Sequence, residues 1–365
     1  MPKYYLFPDS QYYLFELDTI DLKDFKNKLK NSFKNLLTEK KLIPNIVDNN
    51  KSTLKNIKYN DISIHPWKIK KPNKVKSIIL GPGVKFINKN IISDPGQNIE
   101  ILPNTKLLLG KNVSIISQGK LILKGEKNNK VVIEKLNSNY PWGIIAAVGK
   151  YSEGSTLENC EISGGSKANL LNINFSGMVS FNWSNKLNIS NCKFSNNFSG
   201  DDTVRVINSS NVQLNNINFN NCFGDCLDFD YVEGLIKNTT VENSGNDGLD
   251  FMGSKTILEN IKINSFSDKG ISIGEKSNLL MSNLIIKNGN VGIAIKDDSL
   301  SELNRSEIYN NNIGLDIFKK NWRFSEPGYI SVKDSKIIQN GIDLRTVKSN
   351  FYESKSSVIK EILID

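Results

Sequence analysis

The sequence is poor in the residues that most often carry catalysis or grip phosphate. It has one histidine, His65, and four cysteines in 365 residues. A lone histidine in SIHPWK argues against a Ser-His-Asp triad, against histidine-ligated zinc and against catalysis at His65 itself. Arginine is nearly absent too: positions 205, 305, 323 and 345 stand against 43 lysines, so the net charge of +9 rests on lysine. Proteins that grip phosphates rely on arginine forks, and no basic helix or aromatic-basic motif is present. With Asn and Ile also abundant, the charge reads as compositional drift, and a nucleic-acid partner is not expected.

Long apolar runs are missing as well. No stretch reaches the roughly 18 residues of a membrane span. The N-terminus, MPKYYLFPDSQYYLFELD, lacks the basic start, apolar run and small-residue cleavage site of a secretory signal. The expectation is a soluble protein, cytoplasmic by default, its location otherwise open. Cys160, Cys192, Cys222 and Cys226 are too few for a disulfide scaffold of this size. Cys160 and Cys192 share the context N-C-x-[IF]-S, which places them at equivalent buried positions, and free thiols used as small apolar residues are expected. Cys222 and Cys226 have the spacing of a metal pair, but no further Cys or His lies nearby.

What is present begins with an amphipathic segment. Residues 18–42 place Leu22, Phe25, Leu29, Phe33, Leu36 and Leu37 at three-and-four spacing behind Asp18, Thr19 and Asp21, which predicts a capped helix. Its opposite face, Lys23, Lys26, Lys30 and Lys34, reads as a solvated face rather than a contact with an anionic surface. From about residue 76 helical periodicity gives way to short Ile, Leu and Val runs between Gly, Asn, Lys and Ser, the pattern of short strands joined by turns.

Between 200 and 318 the pattern repeats every 22 residues. One column runs Leu227, Leu249, Ile271, Ile293, Leu315, and a second runs Phe229, Phe251, Ile273, Ile295, Ile317. A third holds Leu214, Ile236, Leu258 and Leu280; a fourth holds Asn216, Asn238, Asn260 and Asn304, with Ser282 at the missing step. Apolar columns without a helical segment predict a solenoid with one turn per repeat. The apolar columns fill its inside, and the Asn column bonds along the stack at a bend where backbone groups are left free. A leucine-rich repeat would favour Leu over Ile and carry a helical far side. Here the far side reads VQLNNINFNN, LIKNTTVENS and ILENIKINSF, which is strand and turn.

These residues resemble right-handed parallel β-helix proteins of the pectate-lyase-like superfamily. The resemblance covers roughly 76–345, from IEILPNTKLLLG and W-G-I at 142–144 through the Asn ladder. More narrowly, GDDTVRV, DCLDFDY, NDGLDF, DKGISIGEKS and VGIAIKDDS resemble the β-helix module that accompanies spore-coat kinase-like domains. The expected fold class is all-β: a right-handed parallel β-helix over 76–348, an N-terminal cap over 1–75 containing the helix, and a C-terminal cap or tail over 349–365. Capping has a physical motive, because a solenoid end exposes an unpaired edge and an open core.

The candidate site follows from strand alternation. With Leu227 and Phe229 inside, Asp228 and Asp230 point outward, and Asp250 does the same one coil on. Stacking predicts three outer columns: Arg205, Asp228, Asp250, Ser272; Ile207, Asp230, Met252, Gly274, Lys296; and Asp202, Asp225, Asp247, Lys269. Glu275 stacks with Asp297 just past the strand. Two carboxylates about 4.8 Å apart repel by about 0.9 kcal/mol in water and several times more at the lower effective dielectric of a protein surface. The arrangement asks for a shared proton or a cation, and oxygen donors without His or Cys suit Ca²⁺, with Asp225, Asp228, Asp247 and Asp250 as its ligands. For Asp225 and Asp247 the competing reading is acceptance of backbone N–H bonds in the turns. For Asp228, Asp230 and Asp250 it is scattered solvated charge.

The resemblance implies a carbohydrate-active or carbohydrate-binding protein for an acidic polysaccharide, its catalytic form being a Ca²⁺-assisted lyase or epimerase. In such lyases a Lys or Arg takes the proton beside the sugar carboxyl, a role that needs a depressed pKa. Lys269 and Arg205, with Asp250, are the expected catalytic residues. Lys296, Tyr231, Asp230 and Glu275 are the expected substrate contacts. Tyr231, Phe318 and Trp322 have the chemistry to stack on sugar faces, although single aromatics in β-rich chains more often pack. A non-catalytic structural or adhesive module is the alternative, because one fold hosts both kinds of protein.

Overall fold

A computed structural model describes residues 76–364, apart from 348, 349 and 355, together with Tyr4–Tyr5 and Leu14–Phe15. The helix expected over 18–42, most of the cap expected over 1–75, and His65 lie outside the described residues. The chain forms two compact units, Met1–Ser63 and Ile64–Asp365. In the first, Tyr4–Tyr5 pairs antiparallel with Leu14–Phe15. The second is a parallel β-solenoid.

One coil shows how the sequence builds it. Asp225–Asp230 forms a strand, the chain turns at Tyr231 and Val232, and Glu233–Ser244 follows, bent at Asn238 into two runs. The next coil lays Leu249–Met252 parallel to the first strand, with Leu227 opposite Leu249 and Phe229 opposite Phe251. Lys255–Gly274 then runs along Glu233–Ser244 with Glu233 opposite Lys255. Each coil therefore has three faces. The first, called the wall below, stacks Gly177–Asn182, Asp202–Ile207, Asp225–Asp230, Leu249–Met252 and the ends of Lys255–Gly274 and Asn278–Lys296, then Ile313–Phe318 and Ile342–Thr346.

The two apolar wall columns are in register and wholly buried from Leu227 to Leu315 and from Phe229 to Ile317. Each such side chain taken from water stabilises the fold by roughly 1.5–3 kcal/mol before conformational entropy is counted. The coil interior is continuous, so these contributions accumulate along the stack. Phe229 and Phe251 meet edge to face with ring centroids 5.8 Å apart.

On the second face the expected columns slip by one residue. Leu258 stands opposite Met281, not Leu280, and Asn260 therefore meets Asn283 rather than Ser282. Met281 is buried while Leu280 is 47% exposed. The cause is one extra residue in the turn between Gly274 and Asn278 relative to that between Met252 and Lys255. An irregularity between Phe266 and Lys269 takes the offset back out, so the wall keeps its 22-residue step, Lys269 facing Val291.

The Asn ladder forms at the bend, where Asn216, Asn238, Asn260 and Asn283 all adopt the left-handed conformation that Asn tolerates better than most residues. Asn216 Nδ2 donates to Asn191 Oδ1 at 2.8 Å and Asn260 Nδ2 to Asn238 Oδ1 at 3.1 Å. Past Asn283 the position is taken by Arg305, whose Nε donates to Asn283 Oδ1 at 3.2 Å. The expected member Asn304 sits one residue earlier, opposite Ser282. A second ladder, of buried serines, stands at the turn after the wall: Ser254 N–H donates to Ser277 Oγ at 3.0 Å and Ser277 N–H to Ser299 Oγ at 3.2 Å.

The cysteines are not free thiols. Cys160 and Cys192 occupy equivalent buried positions in adjacent coils, as their shared context implies, and are joined at a Cα separation of 4.6 Å. Cys222 is joined to Cys226 across the turn into the wall, which also removes them as a metal pair. Within 349–365, Phe351–Glu353, Val358–Ile359 and Ile362–Ile364 stack in parallel on the strands of the preceding coil.

Candidate functional site

The wall carries the expected outer columns. Arg205 faces Asp228, Asp228 faces Asp250 and Asp250 faces Ser272; Asp230 faces Met252; Asp202 faces Asp225. The acidic side chains are recessed rather than solvated, with Asp202 at 2%, Asp230 at 5% and Asp228 at 8% exposure. Scattered surface charge therefore does not describe Asp228 and Asp230, while Asp250 is half-buried. Two groups emerge.

In the first, Arg205 is surrounded. Its Nη2 pairs with Asp230 Oδ2, its Nη1 donates to Ser176 Oγ at 2.7 Å, and its Nε lies 3.0 Å from Asp228 Oδ2 without hydrogen-bond alignment. Ser176 Oγ in turn donates to Asp202 Oδ2 at 2.6 Å. One guanidinium thus serves three carboxylates. Burial raises the Asp202 carboxyl to about 6, against the pull of the Ser176 bond and Arg205. Burial followed by Asp230 and Asp202 lifts Asp228 well above the carboxylate range, and burial lifts Asp230 despite Arg205.

The second group is Asp225, Asp247 and Asp250, each offering an oxygen within 4.8 Å of the others. Asp225 Oδ1 accepts the Asp247 N–H at 2.8 Å and Asn246 Nδ2 at 2.7 Å. Asp247 Oδ1 accepts the Lys269 N–H at 2.9 Å, and Asp250 Oδ1 accepts the Phe251 N–H at 3.0 Å. Asp225 and Asp247 do accept backbone bonds, from the neighbouring coil rather than their own turn, and they also converge with Asp250. Burial and the nearby Asp247 charge push Asp225 up to about 8, and burial pushes Asp247 to about 6.

These hydrogen bonds all fall on Oδ1, so the second oxygen of each residue is left for another partner. Three close carboxylates without His or Cys are a hard-oxygen donor set, which fits Ca²⁺ or Mg²⁺ and not zinc. Asp228, expected as a fourth ligand, is engaged with Arg205 instead.

The expected bases have environments opposite to the one proton abstraction requires. Lys269 Nζ pairs with Asp268 and lies 3.5 Å from Asp247 Oδ1. Burial works to lower its pKa, but Asp247 and Asp268 outweigh burial and hold the ammonium above its ordinary value. Arg205 is likewise raised, its three aspartates overriding burial. Lys296 is a different case: it is 5% exposed and donates to Ser272 Oγ at 2.8 Å. Its chain lies over Gly274, where a Cβ would come within 2.6 Å of Lys296 Cε. Glu275 is raised by burial, with Lys296 opposing and Asp297 adding.

Exposed aromatic rings flank the wall on both edges. Phe198 and Phe223 lie on the leading side, Phe223 two residues before Asp225, and Tyr231 lies on the trailing side over Gly253. The two phenylalanines escaped the sequence reading because each sits in an otherwise polar turn, outside the apolar columns; their exposure is the signal. A shallow depression of about 200 Å³ lined by Glu307, Tyr309, Lys336, Ile338 and Gln339 lies on the third face and includes no wall residue.

Residues 202–356 match the family model described as "Right handed beta helix region". The solenoid is a right-handed parallel β-helix. Among solved structures this β-helix is similar to the catalytic unit of a thermostable GH87 alpha-1,3-glucanase from Streptomyces thermodiastaticus strain HF3-3, with a TM-score of 0.46 and 11% identity over 74% of this chain and 65% of that one. It is also similar to an alginate lyase from Paenibacillus sp. str. FPU-7, with a TM-score of 0.42 and 9% identity over 76% of this chain and 99% of that one. ORF18 of Geobacillus virus E2 matches with a TM-score of 0.35 and 10% identity, over 67% of this chain and 56% of that one. No curated protein matches. Among the described residues no helix is long and apolar enough to cross a membrane.

Proposed function

We propose that the β-helix wall is a cation-dependent binding surface for an acidic polysaccharide. The observation that carries this reading is the convergence of Asp225, Asp247 and Asp250 within 4.8 Å on a recessed outer face. Ca²⁺ takes six to eight oxygen ligands, so three carboxylates leave positions for water and for the carboxylates of a uronate chain. Asp225, Asp247 and Asp250 would hold such an ion, which would supply the positive charge that attracts sugar carboxylates. The chain's own residues do the rest. Asp225 and Asp247 are oriented by backbone N–H groups of neighbouring coils, Tyr231, Phe198 and Phe223 offer ring faces to sugars, and Lys296 and Glu275 border the wall on the trailing side. Asp230 acts through Arg205, which it holds in place.

The catalytic extension is a Ca²⁺-assisted lyase or epimerase with Lys269, Arg205 and Asp250 at its centre. The paired, charge-stabilised state of Lys269 and Arg205 favours binding over proton abstraction, because a base must first be neutral. A non-catalytic binding module is accordingly the form of the proposal that the geometry supports best. The test is retardation of the protein in gels containing alginate, polygalacturonate or neutral glucan, with Ca²⁺ or with chelator, alongside an assay for unsaturated sugar products. Retardation by a polyuronate only when Ca²⁺ is present supports the reading; equal mobility in every gel ends it. Unsaturated products lost in Lys269→Ala would restore the lyase.

A further inference from the structure

We propose that residues 319–328 form a preorganised sugar-stacking platform, on which Trp322 packs against one residue of an acidic oligosaccharide while Arg323 meets its carboxylate. This rests on the reading of the wall as a surface for acidic polysaccharide and adds a second, spatially separate contact for the same chain.

The first ground is the excursion itself. Ile313 faces Ile342, and this coil takes 29 residues where the preceding one, in which Val291 faces Ile313, takes 22. The extra length leaves the solenoid after Phe318, at the trailing edge of the wall, and returns at Tyr329.

The second ground is how firmly the loop is fixed. Asp297 is wholly buried, and its Oδ1 accepts the N–H groups of Lys320 and Asn321, both at 2.8 Å. Asp298 Oδ1 accepts the Glu326 N–H at 2.6 Å, and the Asp298 N–H donates to Glu326 O at 3.0 Å. Inside the loop, Asn321 Oδ1 accepts the Arg323 N–H at 3.0 Å and Asn321 O accepts the Phe324 N–H at 3.2 Å. Two aspartates of the preceding coil thus clamp both ends of a tight turn.

The third ground is what the turn displays. Trp322 is 84% exposed, and the Arg323 guanidinium lies 5.9 Å from its ring centroid. A large ring held in water forgoes burial that would stabilise the fold, so packing does not explain it. Lys319, Lys320 and Arg323 outweigh Glu326, which gives the loop the sign that complements an anionic glycan. The loop leaves the wall four coils beyond Asp225–Asp230, about 19 Å along the stack at ~4.8 Å per strand. Only a chain of several sugar residues spans both contacts.

Calorimetric titration of defined uronate oligomers of increasing length, in Ca²⁺, tests the inference on the whole protein and on Trp322→Ala, Trp322→Tyr and Asp250→Asn. The expected result is an affinity for long oligomers lowered about tenfold in Trp322→Ala, largely restored in Trp322→Tyr, with short oligomers unaffected. Equal affinity of Trp322→Ala and the unsubstituted protein at every length overturns the platform and leaves the cation site standing. A loss in Trp322→Ala with none in Asp250→Asn supports the platform and removes the cation site. No binding of any oligomer by the unsubstituted protein removes both.

Discussion

Asp225 Oδ1 accepts the backbone N–H of Asp247 at 2.8 Å, so a bond that ties two adjacent coils together ends on a carboxyl pushed up to about 8. The bond favours ionisation, and burial with the neighbouring Asp247 charge defeats it. Near neutrality the balance therefore favours the protonated form of Asp225.

Stability without metal should fall as pH rises. A carboxyl at about 8 in the fold and at its ordinary 3.8 in the unfolded chain makes the folded state bind more protons between those values, so unfolding becomes easier across that window. Asp202 and Asp247, at about 6, add to the fall over its acidic half. Thermal melts in chelator should show the midpoint declining from about pH 4 to about pH 8, and Ca²⁺ should flatten the decline. A midpoint that rises over that range in chelator would contradict the burial of these carboxylates.

Arg205 should be the costliest charged residue to remove. Arg205→Ala leaves Asp202, Asp228 and Asp230 without their counter-charge, and breaking a buried pair of this kind costs about 3 kcal/mol. Denaturant unfolding should show the loss at pH 7 and a smaller one at pH 5, where the carboxylates take up protons. An unchanged midpoint at pH 7 would mean the three aspartates are solvated after all.

The register slip can be tested with two adjacent residues. Met281→Ala should cost about 2–4 kcal/mol by leaving a cavity, and Leu280→Ala less than about 0.5 kcal/mol. The 22-residue column drawn from sequence alone expects the reverse. The sequence could not choose, because Leu279, Leu280 and Met281 are all apolar and a one-residue insertion in the Gly274–Asn278 turn leaves no mark on hydrophobicity. The wall columns were legible for the opposite reason: Leu227, Phe229 and their successors alternate with Asp228, Asp250 and Ser272, so only one register buries the apolar set.

At the bend, Asn238→Ala should destabilise by about 1–2 kcal/mol, since it places a side chain with no local hydrogen bond at φ 50 and cuts the ladder to Asn215 and Asn260. Asn238→Gly should recover part of the loss, because glycine keeps the conformation. Equal midpoints for all three proteins would remove the ladder from the account.

The residues of the site were readable, but their electrostatics were not. Alternation places Asp228, Asp230 and Asp250 outward without saying how deep the wall is recessed, and burial is what raises the pKa values of Asp228 and Asp230. Lys269 was expected near the acidic columns, but its pairing with Asp268, the adjacent residue, arises at the register irregularity between Phe266 and Lys269, which hydrophobic spacing does not reveal. The cysteines were misread because N-C-x-[IF]-S identifies stacked positions without revealing that stacking brings the two side chains together.

The most direct test of the cation site is calorimetric titration of Ca²⁺ into metal-free protein at pH 6 and pH 8, in buffers of different ionisation enthalpy. The account predicts one Ca²⁺ per chain, tighter binding at the higher pH, proton release near pH 7 as Asp225 gives up its proton, and loss of binding in Asp250→Asn. Absence of a binding isotherm at both pH values, or binding unchanged in Asp250→Asn, would contradict it.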